Sequence, residues 1–432
     1  MNACFSKLGA AAVLGVGICS LALSTPARAI DFKAGDWNFT VSGEINVHYI
    51  YSSCQNASSA VAIVTVGGAC TGSDNGSNVS HVSNGLLPAA LNFGVSTVQN
   101  GIDIAGHFGF YPGISTNDGG SPNLQQGAPA GSNVALGTTG LDVRQVFMTF
   151  GNKNIGTFTL GRNFGLFGFD AIINDMTIPG VGVAGSASTA SPSNTSLGSI
   201  GFGYIYTDTL AQINYTTPDF AGLNLTLGIF DPLNSLTAAG TNEPKGTPGF
   251  HGKATYTVKF NPDMKLYVSS SFIDQKQRYE VTTTGPGAAT TQYGYNSFGF
   301  DVTSKFDWAA FEALVSYYHG SGLGTTGLFV LSDDGLGHKR SSDGYLLQAT
   351  YALGPVKLGV NYGVSQLDYA NDADRAAVPN LLRRNSKVTG GAYYSLTKNL
   401  TLLSEVSQVE TKAHSGGSND STNFNIGAYL AF

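Results

Sequence analysis

Charge is scarce in this sequence: Asp, Glu, Lys and Arg make up 12% of its 432 residues, roughly half the share of an ordinary soluble domain. Long hydrophobic runs are scarcer still. After the first thirty residues no stretch of about eighteen apolar residues occurs, which excludes a bundle of membrane-spanning helices. Catalytic and metal-binding spacings are missing too. The seven histidines, His48, His81, His107, His251, His319, His338 and His414, are scattered, and there is no HExxH, GxSxG or CxxC. No nucleophile with its base and no metal site is legible, so neither cofactor nor metal is expected. A net charge of −6 offers no basic footprint for nucleic acid. What the chain has in quantity is glycine, 57 of them, with 20 tyrosines and 25 phenylalanines. That mixture suits a sheet whose turns need a permissive backbone and whose outer face meets lipid.

Residues 1–29 read as a cleaved export signal. Lys7 supplies the positive start, Leu8 to Leu23 the apolar stretch, and Ala27-Arg28-Ala29 the small-x-small cleavage site. Cys19 is not read as a lipid-attachment site, because Ile18 stands where such signals want a small residue. Cleavage near Ile30 removes Lys7 and Arg28 and no acid, leaving 20 bases against 28 acids and a net charge of −8. Residues 30–432 then form one domain. Two cysteines remain, Cys54 and Cys70, in a Gly/Ser/Asn-rich stretch. An even pair in an exported chain favours a disulfide that closes a surface loop. No histidine or second cysteine pair stands near them to suggest a metal.

The last ten residues, NFNIGAYLAF, alternate: Phe424, Ile426, Ala428, Leu430 and Phe432 share one parity, and Asn423, Asn425, Gly427, Tyr429 and Ala431 the other. This is a strand with one oily face, ending on the aromatic that sits at the membrane edge in bacterial transmembrane barrels and serves here as the candidate insertion signal. Trp37 to Tyr51 shows the same split, with Glu44, Asn46 and His48 on the polar parity. Alternating segments recur at 37–51, 86–98, 102–111, 141–150, 155–163, 200–216, 221–230, 250–260, 264–279, 292–306, 308–320, 344–353, 356–368, 387–396, 400–412 and 423–432. Long and short connections between them strictly alternate. The pattern predicts an all-β, antiparallel transmembrane barrel of about sixteen strands, with short periplasmic turns and long outer loops. About sixteen strands leave a water-filled channel.

Gly161-Arg162-Asn163-Phe164-Gly165, then Phe169-Asp170-Ala171, Asn174-Asp175-Met176 and Pro179-Gly180, resemble the strand end and third loop of the Gram-negative general diffusion porins. With the terminal Phe432 and the strand count, the resemblance spans essentially the whole mature chain. It implies an outer-membrane homotrimer of barrels in contact with lipid and lipopolysaccharide, each with its third loop folded inward. Acids on that loop then face bases on the wall, and ions and small hydrophilic solutes pass between them. Asp175 matches the loop acid, and Asp170 is a second loop candidate. Arg144, eighteen residues before Arg162, matches the spacing of the family's wall arginines. An arginine turned to lipid at mid-depth costs about 2–4 kcal/mol, which independently puts Arg144 in the lumen. Arg162 shares parity with outward-facing Phe158 and Leu160, so its place is either in the constriction, above the apolar band or in a subunit interface.

The family pattern is incomplete. Glu44 stands where some relatives carry a base, Ala90 fills another such position, Asp208 lies on the polar parity with Gln212 and Asn214, and Gly180 replaces a second loop acid. A wall that loses bases and gains acids predicts a weakly cation-preferring pore. Two other classes remain open: a solute-specific channel for a sugar, organic acid or phosphate, and a barrel enzyme whose residues assemble only in three dimensions.

Overall fold

Alternating side chains make these segments strands, and the pairing of their backbones closes them into a cylinder. The computed structural model describes residues 29–55, 63–70, 78–114, 141–184, 194–235, 241–283, 285 and 287–432. Of the expected export segment at 1–29, residues 1–28 lie outside the described residues. In chain order the strands are β1 (Ile30–Ala34), β2 (Trp37–Gln55), β3 (Val79–Ser83), β4 (Ala90–Gln99), β5 (Ile102–Pro112), β6 (Leu141–Asn152), β7 (Gly156–Phe164), β8 (Thr209–Thr216), β9 (Leu223–Phe230), β10 (Thr241–Asn242), β11 (Gly249–Asn261), β12 (Met264–Thr282), β13 (Thr290–Trp308), β14 (Phe311–Ser321), β15 (Ser341–Leu353), β16 (Val356–Leu367), β17 (Leu382–Ser395), β18 (Leu400–Ala413) and β19 (Ser418–Ala431). Two short helices join them, α1 (Phe169–Ile173) and α2 (Asp372–Ala377).

The ring runs from β2 through β4–β9 and β11–β19 and returns to β2, every pair antiparallel. That is sixteen strands, the expected barrel. β1, β3 and β10 are appendages on its two rims. Closure is completed at the C-terminus, where Gly43 N–H donates to the Phe432 carbonyl at 2.9 Å and Phe432 N–H returns to Gly43 at 3.0 Å. A closed ring has no edge strand to leave backbone groups unpaired in hydrocarbon. Phe424, Ile426, Leu402, Val406, Val388 and Val360 are exposed on the outer face, the parity expected to meet lipid.

Two expected segments end differently. Residues 200–208 are not strand: Gly201, Gly203 and Asp208 take positive φ values of 75°, 146° and 55°, which breaks the extended run. They belong to the third outer loop, 165–208. Residues 86–89 likewise leave the wall, and the N–H groups of Leu86 and Leu87 donate to Gly180 and Ile178 of that loop.

The interior is also not an open tube. Phe167 and Ile205 of the third loop pack with Leu323, Leu328 and Phe329 of the sixth loop, 322–340, and with wall residues Leu210, Phe230, Ile273 and Tyr318. A second cluster joins Leu86, Ala171, Ile178, Ile200 and Tyr204 to Leu314 and Leu346. Each such large apolar side chain contributes about 1.5–3 kcal/mol when fully buried. The loops are therefore held in the barrel by a core of their own. On β18 the inward-facing Leu403, Glu405, Ser407, Val409 and Thr411 are all at most 3% exposed, so this side of the lumen is packed solid.

Candidate functional site

A loop that enters a barrel brings backbone polar groups with no ladder to join, and each buried one needs a partner. The wall of β13 and β15–β19 supplies them. The Glu405 carboxylate accepts from Val181 N–H at 2.8 Å, Gly182 N–H at 2.9 Å, the Tyr393 hydroxyl at 2.6 Å and Asn425 at 3.0 Å. Gln348 accepts from Met176 N–H at 2.7 Å and donates to the Asn174 carbonyl at 2.9 Å. Ser365 accepts from Gly203 N–H at 3.0 Å, and Asp301 from Gly168 N–H at 2.6 Å, just before α1. His48 on β2 lies 3.1 Å from the Pro179 carbonyl.

The loop's own acids are used in the same way. Asp175, fully buried, accepts from Thr177 N–H and hydroxyl at 2.9 and 2.8 Å, from the Tyr204 hydroxyl at 2.8 Å and from Asn361 of β16 at 3.1 Å. The resemblance implies a loop acid facing wall bases; here four hydrogen bonds turn the Asp175 carboxylate into a clasp. Asp170, 4% exposed, pairs with Lys253 of β11 at 3.0 Å and accepts the Tyr267 hydroxyl at 2.5 Å. Among the described residues this is the ion pair that joins an acid of the third loop to a base of the wall. Gly180, where a second loop acid was looked for, has no room for one, because a β-carbon there would run into the Glu405 carboxylate.

The opposite flank is built otherwise. Between α1 and the β5–β8 wall lies a cavity of about 290 Å³, lined by Leu86, Leu87, Phe169, Ile172, Ile178, Ile200 and Val330 among others, with Arg144, Asp142, Tyr206 and Asp208 at its polar end. Arg144 does point inward. Its Nε donates to Asp142 at 2.5 Å and its Nη2 to Asn194 at 3.0 Å, and the guanidinium lies 5.4 Å from the centre of the Tyr111 ring. Asp208 sits in the last residue of the loop, not on the β8 polar parity. Burial raises its carboxyl above the usual carboxylate range, a shift opposed by Thr209 N–H and by the charges of Arg162 and Arg144. Behind the cavity a chain of amides crosses the strands. Tyr111 donates to Gln145, Gln145 to Asn163 at 2.8 Å, Gln212 to the Asn163 carbonyl at 2.6 Å, Asn214 to Gln212 at 2.6 Å, and Asn214 meets His251 at 2.8 Å.

Arg162 is not in the constriction. Its register partners Val146 and Ala211 both face outward, so the parity of Phe158 wins and its side chain starts from the outer surface. Glu44 faces the lumen and is 5% exposed, and its Oε1 has no hydrogen-bond partner among the described residues. Cys54 and Cys70 are joined, with Cα atoms 5.1 Å apart. The sequence reading did not name Glu405, Asp301, Lys253 or Lys387. Parity was the available signal: Glu405 alternates with Leu403, Ser407 and Thr411, and Lys253 with His251 and Thr255. Among the described residues no group of acids, histidines and cysteines is spaced to hold a metal.

A closed sixteen-stranded barrel with lipid-facing aromatics outside and an inward third loop defines a bacterial outer-membrane channel. The comparisons agree. The family model for Gram-negative porins matches residues 10–414, and the chain belongs to that family: it is an outer-membrane channel protein and not an enzyme. No curated protein matches the sequence. Among solved structures the fold is similar to the outer membrane channel DcaP of Acinetobacter baumannii, at 13% identity, TM-score 0.64, covering 94% of this chain and all of that one. It is also similar to OprB of Pseudomonas putida, at 10% identity, TM-score 0.53, covering 92% and 94%. OmpF of Salmonella typhi, in a complex with daunomycin, matches at 11% identity, TM-score 0.51, covering 93% and 100%.

Proposed function

We propose that this porin is a passive diffusion channel for ions and small hydrophilic solutes, with a weak preference for cations. The observation that carries the reading is the charge around the third loop. The acids there, Glu44, Asp142, Asp170, Asp175, Asp208, Asp301 and Glu405, outnumber the bases Arg144, Lys253 and Lys387, all buried or half-buried. Even where these acids are hydrogen-bonded, their summed field lowers the energy of a passing cation and raises that of an anion. Elsewhere on the wall, Lys265 and Lys305 pair with Asp307 and Glu312, which keeps the preference weak. The assembly we propose is the homotrimer implied by the family resemblance.

Planar-bilayer recording tests this. A salt gradient across the open channel gives a reversal potential on the cation side, and closure occurs in thirds. A potential on the anion side contradicts the selectivity, and single-step closure contradicts the trimer.

The apolar cavity beside Arg144 favours a second reading, a channel with a solute-binding site. In that case added solute reduces the conductance saturably.

A further inference from the structure

We infer that the cavity beside Arg144 is a binding site for a small amphipathic cation, a single ring carrying a short ammonium arm; the inference rests on the channel reading above and names the solute class.

Its lining is the first reason. The third loop contributes Phe169, Ile172, Ile178 and Ile200, the first loop Leu86, and the sixth loop Val330. Three separate loops thus turn apolar side chains toward one space inside the lumen. A path for purely hydrophilic solutes gains nothing from such a surface, whereas a ring entering it is removed from water. The volume, about 290 Å³, exceeds the roughly 150 Å³ of an engineered apolar cavity that takes up benzene, leaving room for a substituent.

The polar end decides the sign of that substituent. Arg144 is already spent on Asp142 and Asn194, so that pair is neutral as a unit. Asp208 lines the same space. Among the described residues its carboxylate accepts the N–H of its neighbour Thr209, at 2.6 Å, and makes no ion pair. Arg162 starts from the outer face and does not reach it within ion-pair distance. Tyr206 lines the same end and adds an aromatic ring there, a second attraction for a cation. An ammonium group there meets an unpaired carboxylate; an anion meets the same carboxylate and is repelled.

The test uses the folded, full-length protein and four probes: benzylammonium, benzoate, methylammonium and glucose. In planar bilayers benzylammonium reduces the conductance saturably, while the other three at equal concentration do not. Asp208→Asn weakens the benzylammonium effect about tenfold, the loss of one charge-assisted contact, and Ile172→Asn weakens it by removing apolar lining. Block by benzoate or methylammonium equal to that by benzylammonium, or unchanged potency in both variants, overturns the inference. Calorimetric titration of the detergent-solubilised protein with the same probes separates the two proposals. Benzylammonium binding that depends on Asp208, in a barrel that does not conduct, keeps the site and overturns the channel reading. Conductance without such binding keeps the channel and overturns the site.

Discussion

The two flanks of the third loop are held by different physics. Toward β13 and β15–β19 the loop is fastened by buried polar contacts: Glu405, Gln348, Ser365 and Asp301 receive or donate to its backbone, and Asp175 reaches across to Asn361. Toward β5–β8 it presents Phe169, Ile172 and Ile178 to a cavity lined, among the described residues, by the charges of Arg144, Asp142 and Asp208. Satisfied buried hydrogen bonds specify a geometry and resist displacement. Apolar walls around a space do not. The difference teaches that this loop is fastened heavily toward β13 and β15–β19 and more sparingly toward β5–β8, where Asn194 is held by Arg144 and the Tyr111 carbonyl beside the cavity.

The largest expected effect comes from drawing the bolt. Glu405→Ala leaves two backbone N–H groups, the Tyr393 hydroxyl and Asn425 without their acceptor, at a cost of about 3 kcal/mol or more. The third loop then loosens, seen as faster hydrogen exchange at 176–182 and a larger, noisier unitary conductance. An unchanged conductance with unchanged exchange would break the comparison. Asp175→Asn comes next, weakening the same clasp by about 2 kcal/mol. As one of several acids whose summed field favours cations, Asp175 contributes a part of the preference, so the reversal potential moves slightly toward anions; a large shift would show that its charge meets the ion path directly.

Lys253→Met has a smaller structural effect, on the order of 1–2 kcal/mol, but a definite electrical one. It leaves Asp170 with the Tyr267 hydroxyl and no cation, so the reversal potential moves further to the cation side. A shift toward anions would contradict the proposed field.

The smallest effect lies outside the lumen, where Arg340 of the sixth loop holds Asp374 of α2 with contacts of 2.8 and 2.7 Å. Burial works against the charged Asp374, but the Arg340 hydrogen bonds, the Ala370 N–H and the Arg340 charge outweigh it and bring its pKa below the usual carboxylate value. A folded pKa below the unfolded one means that the stabilisation is complete above the unfolded value, about 3.9, and is lost as pH falls through the folded one. Exchange protection around residues 369–378 therefore holds down to about pH 4 and declines below it. In Arg340→Met the protection is lower at neutral pH, and its dependence on pH below about 4 is diminished.

Much of the barrel was legible because the lipid imposes a parity on every strand. Phe424 and Ile426 against Asn423 and Asn425 is that parity in four residues. The resemblance at Gly161-Arg162-Asn163 located the third loop correctly, but it could not say which way the acids turn. That depends on partners far along the chain: Asp175 is claimed by Asn361, and Asp170 by Lys253. The place of Arg162 was left open by the sequence because the motif's spacing and the strand's parity disagreed; the parity, enforced by backbone geometry, prevails. The 200–208 stretch looked like strand because Ile200, Phe202 and Tyr204 alternate; positive φ at Gly201 and Gly203 turns that alternation into loop packing. The cavity was invisible in sequence, since its lining comes from three loops with no common pattern.

Cysteine accessibility tests the two-flank account most directly. Cys54 and Cys70 are paired with each other, so single cysteines placed at Ile173, on the cavity, and at Ser407, on the fastened wall and 1% exposed, report one flank each. The account predicts that a charged methanethiosulfonate reagent blocks the conductance of Ile173→Cys and leaves that of Ser407→Cys unaltered. Rapid block at Ser407→Cys with Ile173→Cys unaffected would place the open path on the wrong side of the loop.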